Sequence, residues 1–301
     1  MIHSELQIGE NPEHVLCKRI DAFVRESPAN RLIHLDGSPI FESPVVGFAD
    51  GDDPLFQQYK TIIALFHLTP REVMQRIADQ NATTTHTSSD RLSVISWILP
   101  IARTTRISNR AQDQVPSIEW AYTRNYGEQF NDVVRRYVVD LLQSAGYSAV
   151  APAISSLFRV HYDGLESPPA SNWSERHIAY VAGLGTFSLS DGFITARGIA
   201  MRCGSVVTNL PLQPSPRPHE NHIANCLYLW EGTCGACIDR CPAGAISTEG
   251  HDKMKCREYI SQQVGPYQQV YGVENTGCGL CQAGVPCEAG IPPRRERSNE
   301  P

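Results

Sequence analysis

Eight of the chain's ten cysteines fall between Cys226 and Cys287, and this crowding constrains the C-terminal part more than any periodicity does. The run CGACIDRCP (234–242) sets Cys234, Cys237 and Cys241 ahead of Pro242. In an iron–sulfur run of the form C-x2-C-x2-C-x3-C-P, three closely spaced thiolates take corners of one cube, and the last cysteine points to a second cube. Counting back three from Cys234 reaches Glu231, so the remaining thiolate has to come from elsewhere. Cys226 is the nearest source, through the spacer LYLWEGT, in which Gly232 eases a return turn.

A second set follows: Cys256 in KMKCREYI, Cys278 and Cys281 in CGLC, and Cys287 after five intervening residues. The crossing rule predicts Cys241, Cys256, Cys278 and Cys281 on one [4Fe–4S] cluster and Cys226, Cys234, Cys237 and Cys287 on the other. Other readings stand beside this one. Paired CxxC motifs also hold zinc, although zinc ribbons do not continue into CxxxCP. A disulfide framework belongs to an oxidising compartment. Glu231 could supply an oxygen ligand where the thiolate is missing.

Compartment and partners follow from composition. The N-terminal MIHSELQIGENPEH has no charged n-region, apolar h-region or twin arginine, and nowhere does a run approach the ~18 apolar residues of a spanning helix. The expectation is a cytoplasmic protein with no membrane association, where dense cysteine reads as metal. A net charge of −6 gives no overall basic footprint for nucleic acid.

The 301 residues suggest one large or two modest domains. The proline-rich QPSPRPHENH (213–222) marks the expected boundary, dividing 1–215 from 216–301. Upstream, SVISWILPI (93–101) and GSVVTNLPL (204–212) read as strands. GEQFNDVVRRYVVDLLQSAG (127–146) reads as a helix with an apolar stripe through Phe130, Val134, Val138 and Leu142. SNWSERHIAYVAGLG (171–185) reads as a second helix, capped by Asn172 with Glu175 three residues on. The acidic bunch Asp50, Asp52 and Asp53 reads as a turn before a helix.

CGACIDRCPAGAI, KCREYI and CGLCQ, preceded by AGLGTFSLSDGFIT and GSVVTNLPL, together resemble the epoxyqueuosine reductases and reductive dehalogenases, over roughly residues 90–290. The likeness is to a shorter branch of that group. It implies an α+β fold, with a nitroreductase-like α/β cofactor domain followed by a small ferredoxin-like domain carrying two [4Fe–4S] clusters. It also implies an iron–sulfur oxidoreductase that takes electrons from reduced ferredoxin or flavodoxin. These pass at low potential to cobalamin for reductive chemistry on a small organic substrate. The alternative is a ferredoxin-type electron-transfer protein without cobalamin.

On this resemblance, the glycine-rich 183–198 segment becomes the expected cobalamin cradle, with Gly183, Leu184, Gly185, Ser188 and Thr195 as its residues. Taken by itself, the same segment reads as a helix C-cap and a hairpin. No DxHxxG run is present, so a corrinoid here would not take that motif's histidine as lower ligand. The family's aspartate proton donor falls on PASN (169–172), where no acid stands. His177 and Tyr180, three apart on the following helix, are the expected replacement. The acidic balance speaks against tRNA as a partner.

Overall fold

The computed structural model describes residues 11–80, 91–162 and 168–294, and the fold is mixed α+β. The helices are α1 (Pro12–Glu26), α2 (Pro54–Ile62), α3 (Pro70–Gln80), α4 (Arg103–Arg110), α5 (Ile118–Ser144), α6 (Glu175–Val181), α7 (Leu227–Glu231), α8 (Ala236–Asp239), α9 (Lys253–Tyr259) and α10 (Tyr267–Tyr271). The strands are β1 (Val45–Asp50), β2 (Ser93–Pro100), β3 (Ala149–Val150), β4 (Val160–His161), β5 (Ala170–Ser171), β6 (Gly185–Phe187), β7 (Phe193–Thr195), β8 (Met201–Thr208), β9 (Ile246–Ser247) and β10 (Gly250–His251).

These elements condense into two units. The first takes the chain up to Ala102, then Tyr122–Leu184 and Arg202–Pro218; the second takes Arg103–Ala121, Gly185–Met201 and the chain from His219 onward. The second unit therefore draws on two segments that precede the expected boundary at 215/216.

In the first unit a sheet runs in the order β1-β2-β8-β3. β1 pairs antiparallel with β2 from Val45↔Ile98 to Asp50↔Ser93, and β3 pairs antiparallel with β8. All eight residues of β2 are buried, as a continuous apolar run covered on both faces requires. Gly204 of β8 leaves room for the Trp97 indole, which would stand 2.4 Å from a Cβ there. The sequence reading carries this strand on to 212, whereas the strand ends at Thr208 and the chain then leaves the sheet through Pro211.

The helices supply the cover. Asn11 caps α1 by accepting from the His14 N–H at 3.0 Å, and Leu16, Ile20 and Val24, spaced by four, are fully buried. Phe130, Val134, Val138 and Leu142 do the same on α5. This helix begins at Ile118, well before the expected 127. Gly127 lies inside the helix, where a Cβ would fall 2.8 Å from the Phe41 ring. The buried Asn131 amide accepts from Trp97 Nε1 at 3.0 Å and donates to the Cys203 carbonyl at 2.8 Å, so it bonds α5 to both central strands.

The second unit is made of short pieces: the hairpins β6/β7 and β9/β10, helices of four to eight residues, and connecting turns. Its interior gathers Leu189, Ile194, Ile199, Cys226, Ile246 and Val285, with Cys237, Cys241, Cys281 and Cys287 packed against them. Arg240 ties this unit together, donating to the carbonyls of Asn109, Gln112, Leu280 and Ala283. Gly279 is left-handed (φ 61°) and abuts the Trp120 indole, a place no side chain fits.

Candidate functional site

Cys226, Cys234, Cys237 and Cys287 line one cavity in the second unit, together with Ser188, Ile194, Ile199, Tyr228 and Val285. Cys226 is the residue before α7, and the left-handed Gly232 at the end of that helix turns the chain back toward Cys234. Gly235 then starts the short α8, which carries Cys237. Burial first, and the neighbouring Cys226 and Cys234 next, push the Cys237 thiol up to about 11. Burial with Cys226, Cys237 and Cys234 pushes Cys287 up to about 12. Raised this far, the Cys237 and Cys287 thiols stay protonated near neutral pH until a metal displaces the proton.

The other four cysteines form their own group. Burial raises Cys281, with Cys278, Cys256 and Cys241 adding to it. Burial, with Cys256 and Cys241 adding, also pushes Cys278 up to about 11. The Cys241 sulfur accepts from the Ala245 N–H at 3.3 Å. Glu231, the alternative ligand, instead accepts from Thr233 Oγ1 at 3.1 Å. Among the described residues, no group of three or more His, Cys, Asp or Glu side chains is arranged to hold a single metal ion.

Two polar residues near these cysteines gave no sequence signal. His251 Nδ1 stands 3.2 Å from Asp191 Oδ2, and the imidazole is also hydrogen-bonded to the Cys256 side chain. Asp191 is the sole non-glycine residue with positive φ (57°) among those described. Short polar side chains tolerate that conformation.

The segment expected to cradle cobalamin is folded onto its own chain. Gly183 (φ 74°) follows α6 as its left-handed cap, its N–H donating to the Tyr180 carbonyl, and a Cβ there would fall 2.2 Å from the Pro216 carbonyl oxygen. Leu184 is buried, and its N–H donates to the Ala179 carbonyl. A Cβ on Gly185 would meet the Ile194 carbonyl at 2.3 Å across the hairpin. Ser188 bonds Ser190 and the Gly192 carbonyl, and Thr195 Oγ1 donates to the Gly198 carbonyl. The bare backbones at Gly183 and Gly185 thus serve the chain's own close packing, in a cap and a hairpin.

The expected proton donors lie in the first unit. His177 Nδ1 is 2.8 Å from Ser174 Oγ, and its carbonyl accepts from Tyr59 at 2.9 Å. Tyr180 also neighbours Tyr59, whose phenol is raised by burial and by Tyr180. His67, fully buried and stacked on Trp173, accepts the Ser174 N–H at Nε2 (3.2 Å). Burial and the Lys60 charge push this imidazole down to about 4.

The expected capping box does not form. Asn172 turns its amide to Arg159 N and the Leu157 carbonyl, while Ser174 precedes the helix. Glu175 is therefore not spent on the cap; it accepts from Ser205 Oγ at 2.5 Å and from Arg135 at 3.2 Å. Burial outweighs the Arg135 charge and pushes its carboxyl up to about 7. Asp53 caps α2, and Asp50, Asp52 and Asp53 pair with Arg91, Arg71 and Arg217.

No protein-family model matches the chain. A stretch of 124 residues is 31% identical to the epoxyqueuosine reductase of Bacillus anthracis, covering 39% of this chain and 30% of that protein. The epoxyqueuosine reductase of Lactococcus garvieae (strain Lg2) is 26% identical over 194 residues, 61% of this chain and 50% of that one. A solved selenomethionine-labelled epoxyqueuosine reductase matches 96% of this chain and 69% of its own, with a TM-score of 0.50 at 15% identity, a likeness of fold alone. The chain is a distant homologue of the epoxyqueuosine reductases. The match spans 30% of the length of the Bacillus anthracis relative, so the whole activity of that protein does not carry across with it. Among the described residues, no helix is long and apolar enough to cross a membrane.

Proposed function

We propose that the chain is a cytoplasmic iron–sulfur oxidoreductase with two [4Fe–4S] clusters. One would be held by Cys226, Cys234, Cys237 and Cys287, the other by Cys241, Cys256, Cys278 and Cys281. The observation that carries this reading is the cavity whose wall bears the first four thiols. In a [4Fe–4S] cube iron and sulfide alternate at the corners and each of the four irons takes its own thiolate, whereas zinc draws four sulfurs onto one ion at about 2.3 Å each. Thiols spread around a hollow suit the cube. The bound clusters supply one-electron transfer at low potential.

The chain's own part is to hold each thiolate at its corner and to keep water off the wall through Ile194, Ile199 and Val285. On this reading the chain from 216 onward is a ferredoxin-like domain, packed with the earlier segments Arg103–Ala121 and Gly185–Met201, and most of 1–215 is a nitroreductase-like one. Gly183, Leu184, Gly185, Ser188 and Thr195 stay the residues proposed to hold cobalamin, which when bound would supply the reductive chemistry on substrate. Electrons from reduced ferredoxin or flavodoxin would reduce a small organic substrate. His177 and Tyr180 are the proposed proton donors, and Glu175, which keeps its proton to about pH 7, is a further one on the same helix.

The packed 183–198 segment favours one second reading, an electron-transfer protein without a corrinoid. Air-free protein should carry about eight irons and eight acid-labile sulfides per chain. Cys226→Ser should remove or convert one cluster, and Glu231→Gln should leave both. Zinc in place of iron would sink the proposal. A change in the absorption of added cobalamin would count against the electron-carrier reading.

A further inference from the structure

Cys241 is followed by the proline that ends an iron–sulfur run, but Cys287 is followed by Glu288. Proline would have fixed the backbone after the cysteine; a carboxylate does nothing of the kind by itself. Glu288 is 3% exposed, and carboxylates are buried to that degree only when paired. Its Oε2 accepts from Arg110 Nε and its Oε1 from Arg110 Nη2, both at 2.7 Å, a two-pronged fork. Arg106 Nη1 stands 3.8 Å from the same carboxylate. Oε2 also accepts from the Gly284 N–H at 2.7 Å, so one side chain closes the 284–288 turn and fastens it to α4.

The backbone of this stretch is tied separately. The Ile199 N–H donates to the Cys287 carbonyl at 2.9 Å and the Ala200 N–H to the Glu288 carbonyl at 3.4 Å. That approach needs the left-handed Gly198 (φ 87°), where a Cβ would fall 2.2 Å from the Glu288 carbonyl oxygen. Cys287 is also the one thiol at the cavity that comes from outside the 226–237 segment.

We propose that Glu288 and Arg110 are positioning residues for Cys287: their fork replaces the missing proline and holds this distant thiol at the wall it shares with Cys226, Cys234 and Cys237. The inference rests on the reading that these four cysteines hold a cluster. Arg110 keeps its charge at any working pH and is half exposed, so removing it need not collapse the interior. With the fork gone, the corner bound to Cys287 is the one expected to open.

Wild type, Arg110→Met, Arg110→Lys, Glu288→Gln and Cys287→Ser are purified air-free. Their iron content and electron paramagnetic resonance are compared after oxidation by ferricyanide. Wild type should hold about eight irons. Arg110→Met and Glu288→Gln should each lose about one iron per chain and show the three-iron signal of Cys287→Ser, while the other cluster is unaltered. Arg110→Lys, which restores charge without the planar fork, should fall between. Full iron with unchanged spectra in both variants would overturn the proposal. Loss of both clusters together would do the same, because that marks a general structural role. A wild type without iron would overturn the cluster reading itself and this inference with it.

Discussion

The first unit buries β2 from end to end and covers it with helices whose apolar residues recur every four positions, Leu16 to Val24 on α1 and Phe130 to Leu142 on α5. In the second unit the longest strand wholly its own has three residues, and thiols stand where aliphatic side chains would otherwise meet. One interior is closed by its own hydrocarbon. The other is arranged around sulfur, and on the proposed function it is completed by an inorganic core. The difference teaches that burial alone can organise a long periodic sheet, whereas short elements of four or five residues need a cross-link to hold them.

The largest expected effect tests that contrast directly. Stripping iron from air-free protein should abolish hydrogen-exchange protection around Cys226–Cys287 and leave β2 and β8 protected; equal loss in both would break the comparison. Next, Phe130→Ala should cost about 3–5 kcal/mol in urea unfolding of the sheet-bearing unit, with iron content unchanged. The third test is pH. His67 titrates near 4 when folded, below the ordinary 6.5 of the unfolded chain, so its contribution is complete above pH 6.5 and is lost as pH falls toward 4. The slope should approach about 1.4 kcal/mol per pH unit, and His67→Phe should flatten it. The smallest effect concerns the cap. Gly183→Ala should cost at least about 1–2 kcal/mol through its left-handed backbone; a neutral change would break the reading of Gly183 as a cap.

What could be read from the chain beforehand was whatever depends on neighbours in sequence. SVISWILP shows its burial in its own composition, and the spacing of Cys234, Cys237 and Cys241 follows from a ligand chemistry that is local. Asn172 and Glu175 misled because their true partners are remote: Arg135 lies 40 residues from Glu175 and Ser205 lies 30 away. The glycines at 183–198 had the right type for open backbone, but only the fold shows Pro216 packed against Gly183 and Ile194 against Gly185. Glu288 was illegible for the same reason, since its partner Arg110 is 178 positions distant.

Asn131 carries a consequence for how the first unit assembles. Its amide oxygen and nitrogen are committed to two different strands, Trp97 on β2 and Cys203 on β8. Both commitments can be met only when those strands already lie side by side. Helix docking therefore acts as a proofreading step on strand alignment, and a sheet assembled out of step would leave a buried amide group stranded.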